Sequence, residues 1–112
     1  MAIQNLAARG QMSNSAAAVL TAGTSQTFLI QKVTIANASG SDVADIKFFI
    51  YASGGSPGNT NQVKYIGSLV DDGEQVVSEL NNQILKDGDI LAAVAGTNAA
   101  VNYFINYAKI TT

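Results

Sequence analysis

The sequence predicts an all-β domain, an antiparallel β-sandwich of possible jelly-roll wiring behind an extended N-terminal arm. Three observations carry that expectation. About seven or eight short apolar runs are separated by turn signals at roughly 8–12-residue intervals. No segment has the apolar spacing of a helix of useful length. The C-terminal run alternates, with Val101, Tyr103, Ile105 and Tyr107 on one side and Asn102, Phe104, Asn106 and Ala108 on the other. The expected division is an arm over residues 1–15 and a single sandwich over residues 16–112.

Taken in order, Met1–Ser15 mixes small, polar and a few apolar side chains around Gly10, and reads as an arm ordered only where something holds it. Ala16–Thr21 is the first strand, closed by Ala22-Gly23-Thr24-Ser25, although alanine favours it weakly. Gln26–Asn37 is rich in β-branched residues and stops at Ser39-Gly40-Ser41-Asp42. Ala44–Ala52 follows as its antiparallel neighbour, with Ile46, Phe48 and Ile50 facing the core. Ser53–Asn61 contains the only proline and reads as a surface hairpin loop.

Beyond the loop, Gln62–Leu69 is a strand with Val63, Tyr65 and Leu69 on one side. Glu74–Leu80 is a second strand, and Gln83–Leu85 a brief edge piece. Ile90–Ala95 is almost continuously apolar, and Gly96-Thr97-Asn98 turns it into Val101–Lys109. Three turns look alike: Leu20–Thr24, Leu69–Glu74 and Leu85–Asp89. In each, glycine is expected to supply a positive φ and aspartate to bond its own backbone.

Composition narrows the function classes. At 112 residues the chain suits one domain with a sizeable core. It has no cysteine and no histidine, which removes disulfides, thiolate sites and the commonest general base and transition-metal ligand. Charged residues are 12% of the chain, about half the usual share. A surface of small neutral groups loses little hydration free energy when another protein covers it, which points toward assembly. Arg9, Lys32, Lys47, Lys64, Lys86 and Lys109 are scattered, so no nucleic-acid partner is expected. No run approaches the ~20 apolar residues of a membrane helix, and Met1–Arg9 lacks the order of a secretory signal.

Carboxylates are the remaining source of chemistry. Asp71, Asp72 and Glu74, with Asp87 and Asp89, offer hard oxygens that would suit Ca²⁺, but their spacing matches no calcium loop and reads as solvated turn aspartate. No residue is therefore assigned a catalytic, cofactor-binding or metal-binding role, and no enzyme activity is expected. Tyr51, Tyr65, Tyr103 and Tyr107 raise a sugar-stacking platform as a different function class. The last three fall in phase with core positions, so a core role is the expectation.

The order of features resembles the small β-sandwich accessory proteins of tailed-bacteriophage virions, of head-decoration or cement type. The residues carrying the resemblance are Ala22-Gly23-Thr24, Lys32–Gly40, Gly54-Gly55-Ser56, Asp72-Gly73-Glu74, Asp87–Ala92 and the tyrosine-rich final strand. The resemblance implies a non-enzymatic virion protein, made in the host cytoplasm, that binds and reinforces the assembled shell. Its partners would be the major capsid protein or another virion structural protein, and other copies of itself in a closed homo-oligomer, taken as a trimer. The arm Met1–Ser15 and the loop Ser53–Asn61 are the expected contact segments. The alternatives are a tail, neck or fibre component, or a carbohydrate-binding module for host attachment.

Overall fold

The computed structural model describes residues 2–111. Those residues form nine strands: β1 (Ala2–Gln11), β2 (Ala17–Thr21), β3 (Gln26–Asn37), β4 (Val43–Tyr51), β5 (Gln62–Leu69), β6 (Glu74–Val76), β7 (Ile84–Lys86), β8 (Ile90–Val94) and β9 (Val101–Thr111). One 3₁₀ turn, Ser78–Leu80, separates β6 from β7. The first sheet runs β1-β9-β3-β6, with β7 also paired to β3, and the second runs β2-β8-β4-β5. All pairings are antiparallel. Because β6 and β7 pair with opposite ends of β3, they fill one position, and each sheet then has four. The chain is a β-sandwich, and the crossing of strands between its sheets is jelly-roll wiring.

The core lies between the sheets. Ile30, Val33, Ile35 and Ile105 come from the first sheet and Ile46, Phe48 and Leu91 from the second, all fully buried. Each such side chain contributes about 1.5–3 kcal/mol relative to exposure. In β3 the register shifts between Ile30 and Lys32, so one extra residue, Gln31, is accommodated. That bulge lets Ile30 and Val33, three positions apart, both point inward. Phe28 meets Tyr107 at 4.8 Å between ring centroids on the same inner face.

Several expectations change. β3 and β4, expected as antiparallel neighbours, do not pair: the turn between them crosses from one sheet to the other, β3 pairing with β6, β7 and β9 and β4 with β5 and β8. Residues 2–11, expected as part of an arm, are extended, and β9 holds them: Ala2 through Gln11 pair without a break with Thr111 through Asn102. Gly10 is what lets the Tyr103 side chain lie against β1, since a Cβ there would sit 2.9 Å from the Tyr103 hydroxyl. Met1 lies outside the described residues. The stretch expected as a strand over Glu74–Leu80 ends at Val76, because Val77 and Leu80 both reach the core. A spacing of three suits a 3₁₀ turn and not a strand.

The phase expected for Gln62–Leu69 is reversed over most of its length. Ile66 is buried while Val63 and Tyr65 are exposed, so Tyr65 is an outward residue and not a core one. The three similar turns also differ in detail. Gly88 does adopt a positive φ of +94°, next to a left-handed Asp87, but Gly23 and Gly73 do not: Asp72 is the left-handed residue of the second turn, and Ser25 follows the first.

One end of the sandwich is stitched by Asn37, the buried polar residue among the described residues, 1% exposed. Its amide donates to the carbonyls of Ser41 (2.8 Å), Leu69 (2.9 Å) and Val70 (3.2 Å). Its Oδ1 accepts from the backbone N–H and the hydroxyl of Ser39. One side chain thus ties the β3–β4 turn to the β5–β6 turn.

Candidate interaction surface

Strand alternation and register together define the outer face of the first sheet. Across β1, β9, β3 and β7 one row reads Ile3, Ile110, Thr27, Lys86, and the next reads Asn5, Ala108, Leu29, Ile84. Nearer the other end, the rows are Arg9, Phe104, Thr34, Val76 and then Gln11, Asn102, Ala36, Glu74. Ile3 (60% exposed), Ile84 (51%), Phe104 (44%) and Val76 (44%) therefore share one face, with nothing over it among the described residues.

This face differs in charge from the whole molecule. Its ionic groups are Arg9, Lys32, Lys86 and Glu74, a net positive set on a chain whose formal charge is −2. Strands of this length run roughly 33–40 Å, and four positions at about 4.8 Å spacing put roughly 14 Å between the outer backbones. The projected area, roughly 500 Å², approaches the ~800 Å² that one partner contributes to a standard interface. Exposed apolar side chains set among polar ones match the make-up of non-obligate protein contacts, which are about as apolar as the rest of a protein surface.

The edge beside that face is also open. β1 is an edge strand of ten residues with Arg9 as its one charge, no proline and no register shift. Edges without such blocking devices are templates for another chain. The loop Ser53–Asn61 lies elsewhere, joining β4 to β5 in the second sheet. It is pinned by Asn61, whose amide donates to the Ser56 carbonyl and whose Oδ1 accepts from the Gly58 N–H.

The outer face of the second sheet carries a groove of about 570 Å³ lined by Asn14, Asp45, Lys47, Gln62, Tyr65 and Gly96, among others. The Tyr65 hydroxyl donates to Asp45 Oδ1 at 2.7 Å. That hydrogen bond, reinforced by the carboxylate charge, raises the Tyr65 pKa above its usual 10.0. Lys47 pairs with Tyr65 across the strands, its ammonium 6.0 Å from the ring centroid. Phe49 is on this outer side too, yet buried, next to the small Ala92.

Three of the five carboxylates singled out in the sequence act on backbone N–H groups. Asp71 accepts from Gly40, Asp87 from Ser25 and Asp89 from Lys86. Asp71 N–H in turn donates to Asp42. Among the described residues no three acidic side chains converge on one point. Tyr103 and Tyr107 are half-buried against the core. The outward Tyr65 was missed, although Lys64-Tyr65-Ile66 offers the needed signal: Ile66 is the better core residue, and two neighbours in a strand cannot share a face.

No family model and no curated protein matches the sequence. Solved structures with a similar fold do exist. One belongs to the Bacillus endospore appendages, described as disulfide-linked pili, with a TM-score of 0.58, 10% identity, and coverage of 98% of this chain and 87% of that one. Another comes from the acid-stable capsid of the Helicobacter pylori bacteriophage KHP30, with a TM-score of 0.51, 8% identity, and coverage of 97% and 87%. At such identities the likeness is one of fold. The chain shares its β-sandwich architecture with subunits of a pilus and of a phage capsid structure.

Proposed function

We propose that this chain is a non-enzymatic structural protein of a phage virion, a capsid decoration or cement protein that docks through the outer face of its first sheet. The observation that carries the reading is the alignment of Ile3, Phe104, Val76 and Ile84 on one uncovered, mildly basic face of an otherwise acidic chain. The partner is a shell protein offering an apolar patch with an acidic rim. Each copy makes modest contacts, and repetition over a symmetric lattice turns them into a reinforced shell. The open β1 edge supplies contact between copies in a closed homo-oligomer, taken as a trimer. The fold shared with pilus and capsid subunits supports a role in assemblies. A disulfide-linked assembly is closed to this chain, which has no cysteine.

The test is co-sedimentation of the purified chain with shells that lack it. The chain should pellet with the shells, and Phe104→Asp and Ile84→Asp should stay in the supernatant while keeping wild-type thermal stability. Pelleting of both variants at wild-type levels would remove this face from the mechanism. Binding only to tails or fibres would move the protein to another part of the particle.

A further inference from the structure

We infer that the groove on the outer face of the second sheet is a binding site for a neutral saccharide, with the Tyr65 ring as its stacking platform. A hexose has an apolar C–H face and a rim of hydroxyls, so it needs one exposed aromatic ring beside several fixed donors and acceptors. The groove supplies both. Tyr65 is 49% exposed, an unusual position for a large ring, and its hydroxyl is anchored to Asp45, so the ring is held in place before a ligand arrives. That bond uses Asp45 Oδ1 and leaves Oδ2 to accept from a sugar hydroxyl.

Asp45 itself sits at φ +56°, a left-handed conformation that non-glycine residues adopt at a cost. It is one of six non-glycine residues at positive φ among the described residues, and the one that holds the platform. Lys47, across from Tyr65, forms no salt bridge among the described residues, and its ammonium, 6.0 Å over the ring, is the donor that a stacked sugar would meet. The side-chain amides of Asn14 and Gln62 complete the rim with groups that both donate and accept. One acid and one base leave the groove without net charge, which selects an uncharged sugar over a sialylated or phosphorylated one. The size, about 570 Å³, lies within the roughly 300–1,000 Å³ of small-molecule sites.

The site is on the sheet opposite the proposed shell-docking face, so a docked copy would keep it open to the medium. The test is backbone-amide NMR of the full chain titrated with glucose, galactose, mannose, N-acetylglucosamine and their short oligosaccharides. At least one sugar should produce saturable shifts at Asp45, Lys47, Tyr65 and Gly96. Tyr65→Ala should weaken that binding about tenfold or more. Tyr65→Phe, which keeps the ring but frees it from Asp45, should weaken it by a smaller factor, about fivefold. Absence of saturable groove shifts with every sugar up to its solubility would overturn the inference. So would shifts centred on Tyr103 and Tyr107, or Tyr65→Ala binding sugar like wild type. The shell reading is scored separately, because Tyr65→Ala should co-sediment with shells normally. Loss of shell binding in that variant would assign the groove to the shell contact and overturn the saccharide site.

Discussion

Replacing Asn37 with alanine should be among the costliest single changes outside the apolar core. The side chain is 1% exposed and serves the carbonyls of Ser41, Leu69 and Val70 while accepting from Ser39. A lost neutral hydrogen bond costs about 1 kcal/mol, and a buried group left without a partner costs about 1–3 kcal/mol. The Leu69 carbonyl is buried at that contact and takes the larger figure, whereas Ser41 and Val70 stand where water can reach. The total is roughly 3 kcal/mol. For a domain of this size 1 kcal/mol moves Tm by about 4 °C, so Asn37→Ala should melt about 12 °C lower by calorimetry. Asn37→Asp keeps the shape and the Ser39 contacts but aims a carboxylate at carbonyl oxygens. It should be at least as destabilising at neutral pH, and should recover partly in acid as the new carboxyl takes up a proton. A shift below about 2 °C for Asn37→Ala would refute the view that this side chain ties the two turns together.

Phe48→Ala should cost about 3–5 kcal/mol in urea unfolding, since the ring is fully buried between the sheets; an unchanged midpoint would mean the core is misassigned. In an alkaline absorbance titration, Tyr65 should ionise above 10.0, because its bond to Asp45 must break first, and Asp45→Asn should bring it down. A folded value above the unfolded one means that this bond's contribution is complete below about pH 10 and fades as the pH rises through the folded value. Ionisation of Tyr65 at or below its ordinary value would contradict the hydrogen bond. The Lys64 ammonium, 2.8 Å away, lowers the pKa of Glu79 below its usual 4.5. Its contribution is present above the unfolded value and lost as pH falls through the folded one, so Glu79→Gln should flatten the acid limb of the stability profile. An acid limb identical in wild type and variant would show that the pair is not formed.

Much of the sandwich was legible because β3, β4, β8 and β9 announce themselves through β-branched content, alternation or continuous apolar runs. What the sequence concealed has physical causes. β1 carries little apolar pattern, since its outer face is uncovered and its inner face meets the sheet edge, yet backbone pairing with β9 suffices to order it. β5 was phased by Val63 and Tyr65, whereas Ile66 takes the core position and leaves Tyr65 to the groove. The interaction face was invisible for a further reason. Ile3, Val76, Ile84 and Phe104 lie on four different strands, and only the register of the first sheet puts them on one face, interspersed with polar residues.

The central claim is that the first sheet's outer face is covered in the assembled particle while the opposite face stays open. Lysine acetylation followed by mass spectrometry, on the free chain and on intact particles carrying it, reads this directly. Lys32 and Lys86 lie on the first face and Lys47 on the other. The account predicts that Lys32 and Lys86 lose reactivity on the particle while Lys47 keeps it. Equal labelling of all three in both samples, or protection of Lys47 alone, would contradict it.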